Sequence, residues 1–397
     1  MCVIISNRLY LWRAEPVHET WLRLSSEGLR LAGAPFVATV LLVILLRPVA
    51  RSLGLVDHPK SDRKVHDMPT PLAGGAAITL AAVALGVFLL PMTRDVLALG
   101  AASLLMLVVG TLDDRYDINW RVRIVAQATA ALILFQWGGV RVEWIGNALG
   151  FAGHSLGALS LPFTVLATVG ITNAVNWADG VDGLAGSLCL AALTMLTAAA
   201  VYAGNTTLAS ELVVMAGCVA GFLAFNLRTP WRARATVFLG DGAEILGLWI
   251  AWAAFRLTQT PGHPVTPVLA PFLIAPPVID CLVLIVRRLR AGYSPFFADR
   301  NHMHHRLLDI GFTPGAVVAT LVGLTLQIGL AASLARRSHV PEPLFPLVFL
   351  AAAAIYFYAS QRPTAEAARR IARAAASAAH RADLAAVTTR QAEGGEA

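Results

Sequence analysis

The sequence predicts an all-α integral membrane protein, a polytopic bundle of about ten or eleven transmembrane helices. Three observations carry that expectation. Hydrophobic residues make up 57% of the 397-residue chain, and its mean hydropathy is +0.65. Charged residues are only 14%, against about 25% in ordinary soluble proteins. The apolar residues also come in runs of the length a bilayer requires, roughly 20 per helix. A water-soluble globule cannot hide that much apolar surface, and disordered chains lack the aliphatic residues abundant here.

In chain order the runs place spans at residues 31–46, 72–91, 95–112, 121–138, 161–176, 184–203, 208–226, 242–257, 267–286, 314–335 and 343–360. The second opens on Gly74-Gly75 behind the stiff Pro69-Thr70-Pro71, and the third ends at Asp113-Asp114. Arg121 and Arg123 sit at the mouth of the fourth. The fifth is the most polar, with Thr164, Thr168 and Thr172, and the eighth starts directly after Asp241. Residues 139–160 alternate briefly around Gly-rich turns, which suggests a small extramembrane hairpin. Residues 1–30 form an N-terminal extension with seven charged positions' worth of interruption, from Arg8 to Arg30, and no long apolar core. No cleavable signal peptide is expected there; a mis-assigned start codon would account for the segment. Residues 31–360 form the membrane domain, and 361–397 an Ala/Arg-rich tail expected to be helical and cytoplasmic.

The net charge is +7 and the pI near 9.7. The basic residues lie between apolar runs, the pattern of positive-inside topology, so no nucleic-acid partner is expected. With the N-terminus outside, the inner loops carry Arg47, Arg51, Lys60, Arg63, Lys64, Arg115, Arg228, Arg232, Arg234, Arg287, Arg288, Arg290, Arg300 and Arg306. The opposite loops hold only Arg94, Arg141, Arg256, Arg336 and Arg337. The four cysteines are scattered, without spacing for zinc, redox work or a disulfide framework. Phosphate-binding GxxxxGK[ST] and GxGxxG loops are absent from the sequence.

Polar residues gather on the predicted inner side in five clusters. They are Asp57 to Gly75, including Lys64 and His66; Asp113-Asp114-Arg115-Tyr116-Asp117; Asn173 and Asn176 with Asp179-Gly180-Val181-Asp182-Gly183; Phe238-Leu239-Gly240-Asp241; and Asp299 to Arg306, including His302, His304 and His305. Clusters on one membrane face can converge. Gathered bare, the carboxylates would repel one another. A divalent cation relieves that repulsion, and Mg²⁺ favours one or two carboxylates together with substrate phosphate oxygens. Lysine, arginine and histidine supply charge and donors suited to phosphate. Together the clusters point to phosphoryl chemistry on a lipid.

Each cluster taken singly has a plainer reading. Asp113 and Asp114 could end a helix at the headgroups, and Asp-Gly-Val-Asp-Gly could be two tight turns. Asp113 and Asp117 share a face only if the helix continues past them. The histidines could form a solvated basic loop; a zinc site would want three or four N/S ligands, and no cysteine stands near. Pro69 to Gly75 could simply stiffen the start of a helix.

The ordered set resembles the polyprenyl-phosphate N-acetylhexosamine-1-phosphate transferases, over roughly residues 35–335. The matching pieces are Arg63-Lys64-x-His66 with Pro71-x-x-Gly74-Gly75, Asp113-Asp114, Asn173-x-x-Asn176-x-x-Asp179-Gly180-x-Asp182-Gly183-Leu184, Phe238-x-Gly240-Asp241 and His302-x-His304-His305-Arg306. The resemblance implies a bundle with a cytoplasm-facing cleft in a bacterial plasma membrane. It implies transfer of a sugar 1-phosphate from a UDP-sugar to polyprenyl (undecaprenyl) phosphate, yielding UMP, with Mg²⁺ or substituting Mn²⁺. UDP-GlcNAc or a related UDP-N-acetylhexosamine is the implied donor, in cell-envelope polysaccharide synthesis such as O-antigen. The phospho-MurNAc-pentapeptide branch usually shows three consecutive histidines, a run that Met303 interrupts here.

By the same resemblance Asp241 leads the Mg²⁺ ligands, with Asp179 a further one. Asp113 and Asp114 would orient the lipid phosphate. Asn176, Asp179 and Asp182 would shape the nucleotide site, with Asp182 near uracil and Phe238 stacking. His304, His305 and Arg306 would hold the diphosphate or sugar, with His302, Lys64 and His66 assisting. Direct attack and a covalent aspartyl-phosphate both remain open, as does a homodimer. Family members commonly place a small Ala-Gly-Ser-like run after the Gly-Asp; Gly242-Ala243-Glu244 stands here, and Glu244 would add a carboxylate near the metal. Two other classes compete. A transporter would put its acids near the midplane in broken helices, and an intramembrane aspartyl protease would want a glycine where Phe238 stands. Neither accounts for the histidine cluster.

Overall fold

The computed structural model describes residues 27–58, 68–150, 155–260, 262, 264–297 and 299–361. Lys64, His66, most of the N-terminal extension and the tail beyond Gln361 lie outside the described residues. The helices are α1 (Leu29–Ser52), α2 (Gly74–Leu89), α3 (Arg94–Tyr116), α4 (Trp120–Leu132, running on through a π turn at Ile133–Trp137) and α5 (Ser160–Ala178). Then follow α6 (Leu184–Tyr202), α7 (Thr206–Asn226), α8 (Gly242–Thr258) and α9 (Ala275–Arg290, behind a 3-10 segment at Pro267–Ile274). The last three are α10 (Met303–Asp309), α11 (Pro314–Arg337) and α12 (Leu344–Ala359). Two short strands, β1 (Val56–Asp57) and β2 (Thr70–Pro71), pair antiparallel with Val56 opposite Pro71.

Every expected span is a helix, and the chain is an all-α polytopic membrane protein. Among the described residues, 7 helices are long and apolar enough to cross a membrane by length and composition. Helices α2 and α12 are apolar but shorter. Two of the threonines in α5 are accommodated locally: Thr164 Oγ1 donates to Ser160 O at 2.7 Å and Thr168 Oγ1 to Thr164 O at 2.8 Å. A hydroxyl bonded one turn back needs no outside partner.

Helix α8 is apolar nearly all round and is accordingly the central one. Trp249 and Trp252 are among its fully buried side chains, and Trp249 Nε1 donates to Ser103 Oγ of α3 at 2.9 Å. Its Gly247 lies against the α5 backbone, where a Cβ would stand 2.6 Å from Thr172 Cα. The most extensive helix packings are α6 on α7, α5 on α8 and α1 on α7. Helices α1, α11 and α12 instead expose Leu41, Ile44, Leu45, Leu330, Leu347 and Ile355, a surface suited to lipid.

Of the expected hairpin at 139–160, residues 151–154 lie outside the described residues; on either side of them Trp144 and Ser155 form an antiparallel bridge, and Leu156 N donates to Glu143 O at 2.8 Å. The amides of Glu143 and Trp144 donate to the Gln259 side chain, each at 3.0 Å, and Val142 N donates to Thr164 Oγ1 at 2.9 Å. Side chains at the ends of α5 and α8 thus satisfy these amides.

Candidate active site

The site is assembled where α2, α3, α5 and α8 meet. The segment before α8 runs beside the start of α2. Phe238 N donates to Pro71 O at 2.9 Å, Gly74 N to Phe238 O at 2.9 Å, and Gly75 N to Leu239 O at 3.2 Å. Gly75 and Gly242 allow this approach, since a Cβ on Gly75 would stand 2.5 Å from Gly242 Cα. Gly240 has φ +61°, the left-handed region, and a side chain there would collide with the Asp114 carboxylate. The backbone therefore turns so that Asp241 N points at Asp114, 3.3 Å from each carboxylate oxygen. Asp113 and Asp114 occupy the last turn of α3. Tyr116 ends that helix, and Asp117, with φ 51°, is exposed and points away from the cluster's shared interior. The i,i+4 partnership with Asp113 is limited to the bond from Asp117 N to Asp113 O at 2.8 Å.

Arg123 is the side chain that organises these acids. Its guanidinium lies 2.9 Å from Asp113, 2.7 Å from Glu244 and 3.8 Å from Asp241. Glu244 is buried and also accepts from Asn176 Nδ2 at 3.3 Å. It thus serves as the partner of Arg123 and Asn176 beside the acids. Sequence reasoning saw Arg123 only as a basic residue at a helix mouth. The available signal was its place one turn inside an apolar run, where a charge requires a partner.

From Asn176 the end of α5 leads to the second half of the site. Asp179 follows the helix, and the backbone of Gly180 lies against His304, whose Nε2 a side chain at that position would overlap. Asp182 Oδ2 accepts from Arg228 Nε at 2.8 Å and from Ala235 N at 2.9 Å, which ties the loop before Phe238 to this turn. Phe238 itself is half-buried. His302, His304 and His305 form one group at the start of α10, with ring centroids 5.4 Å apart for His302 and His304 and 4.3 Å for His304 and His305. Arg306 stands partly buried on the same short helix. Asp280 of α9 accepts from His302 Nδ1 at 3.1 Å and Met303 N at 2.9 Å. Arg288 lies over the Trp177 ring, 4.7 Å from its centroid, and donates to Asp299 at 3.0 Å. Asp280, a charge within an apolar run, was missed from sequence, and Arg288 was read only as a basic loop residue.

Burial governs the electrostatics. It raises the Asp179 carboxyl from its ordinary 3.8 to about 7, with the Asp182 charge adding to the effect. Asp241 is also raised, first by burial and then by facing Asp113, with Arg123 opposing. His304 is held well below the ordinary histidine value by burial and by its neighbours His305 and His302. At neutral pH the His304 ring is therefore a neutral donor–acceptor.

Among the described residues no three His, Cys, Asp or Glu side chains close a metal site alone. Asp113 Oδ1 and Asp241 Oδ2 are nevertheless buried without a hydrogen-bond partner. Such oxygens suit a hard cation that takes its remaining ligands from water and substrate phosphate, as Mg²⁺ does.

Fold and site together define a polytopic membrane protein with a cluster of buried acids around one guanidinium. A profile of glycosyl transferase family 4 matches residues 96–258. The undecaprenyl-phosphate alpha-N-acetylglucosaminyl 1-phosphate transferase of Escherichia coli (strain K12) is 34% identical over 333 residues, covering 82% of this chain and 89% of the relative. The enzyme of the same name from Yersinia pestis is 33% identical, covering 82% and 90%, and that of Haemophilus influenzae 34%, covering 70% and 78%. The chain belongs to glycosyl transferase family 4, whose members transfer a sugar 1-phosphate to polyprenyl phosphate.

Proposed function

We propose that the chain transfers GlcNAc 1-phosphate from UDP-GlcNAc to undecaprenyl phosphate and releases UMP. The reaction takes place at the cytoplasmic face of a bacterial plasma membrane, as the first membrane step of a cell-envelope polysaccharide. The observation that carries the reading is the pair of unpartnered carboxylate oxygens on Asp113 and Asp241 beside Arg123, in a chain whose relatives bear that activity in their names.

An oxygen of the acceptor phosphate attacks the sugar-bearing phosphorus of the donor, and the bond to the UMP oxygen breaks. Two anions resist this approach, so positive charge and donors at the developing charge lower the barrier. When bound, Mg²⁺ would supply that charge, with Asp241 and Asp113 as its protein ligands and Asp179 as a further candidate. Arg123 keeps the acids from repelling one another. Asp114, fixed by the Asp241 amide, orients the acceptor phosphate. That acceptor needs no base near pH 7, because phosphomonoesters lose their second proton at about pH 6. We therefore favour direct attack over a covalent aspartyl-phosphate. His304, as a neutral ring, donates a hydrogen bond from its N–H to the donor diphosphate, and Arg306 supplies charge.

UMP release by the detergent-purified protein, measured with undecaprenyl phosphate and a panel of UDP-sugars, tests this. UDP-GlcNAc should be the best donor. Asp241→Asn should lose at least about 10²-fold in kcat, the scale of one electrostatic stabiliser. Full turnover in EDTA, or by Asp241→Asn, would remove the metal assignment; preference for another sugar would replace the donor.

A further inference from the structure

Asp280 is an acid inside an apolar helix, a placement that is costly unless the charge is used or paired. Its carboxylate sits 6% exposed on α9 and receives three donors from elsewhere in the chain. His302 Nδ1 is 3.1 Å from Oδ2, while Met303 N and Tyr356 OH reach Oδ1, each at 2.9 Å. Met303 begins α10 and Tyr356 belongs to α12, so one carboxylate joins three helices around the histidine cluster.

The chemistry of the contact assigns the tautomer. A carboxylate oxygen only accepts, so Nδ1 of His302 carries the hydrogen. Nε2 is then the ring's free acceptor, and the Nδ1 bond fixes how the ring is turned, as a second partner does for histidines elsewhere. The ring is held on both flanks as well. It stacks at 16° on His304 and meets the edge of Trp177 at 6.1 Å. A cap for α10 would need only the Met303 amide. The separate oxygen given to His302 exceeds what capping requires.

We propose that Asp280 is the positioning residue of the histidine cluster. It holds His302 in the Nδ1–H tautomer so that Nε2, a hydrogen-bond acceptor, is the nitrogen offered to a hydroxyl of the donor sugar, and Tyr356 steadies the carboxylate. This rests on the reading of the histidine cluster as a substrate contact.

Asp280→Asn isolates the claim. The amide oxygen can keep the bonds from Met303 and Tyr356, but its NH₂ then faces His302 and demands the opposite tautomer. The expected result is a kcat for UMP release lower by about 10–100-fold, the usual cost of losing such a partner, with the KM for the UDP-sugar nearly unchanged. Nitrogen-15 spectra of histidine-labelled protein, with the His302 signals assigned through His302→Gln, should show Nδ1 as the protonated nitrogen in the native chain and Nε2 in the variant. In a double-mutant cycle, Asp280→Asn should add little to the loss caused by His302→Gln. Native kcat in Asp280→Asn, losses that multiply, or a native His302 protonated at Nε2 alone would each overturn the proposal. If the native protein released no UMP from any UDP-sugar, the transferase reading would fall, while the tautomer measurement would still decide the role of Asp280.

Discussion

Asp179 shows most directly how burial sets the properties of a single residue here. Its folded value of about 7 lies above its ordinary 3.8, so the fold prefers the protonated acid. The sign follows by linkage: between those values the native state binds more protons than the unfolded chain, and stability falls as pH rises. Without metal, the native protein should lose thermal stability from about pH 4 to pH 7 and then level off with respect to this group. Asparagine imitates the neutral acid. Asp179→Asn should match the native melting temperature near pH 4 and exceed it by a few degrees at pH 8, read by tryptophan fluorescence in detergent with EDTA. A variant less stable than the native protein at pH 8 would place the ionised form, not the neutral one, in the fold. Arg123 shows the converse case: with Asp113, Asp241 and Glu244 around it, its positive charge is answered on every side.

Among the elements, the crossing of α2 and α8 sets the site's dimensions. Gly75 and Gly242 touch through bare backbone, and each would drive a Cβ into the other helix. Backbone, unlike a flexible side chain, cannot step aside, so overpacking there costs about 1–3 kcal/mol or more. Gly242→Ala should therefore lower the melting temperature and reduce turnover together, because Asp241 is the residue immediately before it. Gly100→Ala is the control: that glycine has nothing within 4 Å of the added atom and should leave both unchanged. An unaffected Gly242→Ala would mean the helices cross further apart. These elements were legible from sequence because apolar runs end abruptly at Asp113, Asp179 and Asp241, and the glycines beside them stand out. The partners of Arg123 were not legible, since Glu244 lies 121 residues away and nothing local links them.

At the scale of the whole molecule, the contacts among Gly75, Asp114, Arg123, Gly180, Asp241 and His304 put the site at one end of the bundle. The loops and helix ends on that side carry Arg115, Arg228, Arg232, Arg287, Arg288, Arg290 and Arg300, and the far end has Arg94, Arg141, Arg256, Arg336 and Arg337. Translocating arginine is disfavoured, so the proposed function expects the richer end in the cytoplasm. A UDP-sugar made by soluble enzymes is available on that side only. Labelling of single cysteines tests the orientation with residues the fold already exposes: Tyr116, Trp231 and Tyr293 at the site end, Trp137 and Leu149 at the other, all at least half exposed. The native Cys189, Cys218 and Cys281 are buried and should stay silent, and Cys2→Ala removes the remaining thiol. In intact cells a membrane-impermeant maleimide should reach positions 137 and 149, while positions 116, 231 and 293 should react only after the membrane is opened. The reverse pattern would turn the site outward and deprive it of nucleotide sugar. A mixed pattern within the first three would break the single site into parts that cannot act together.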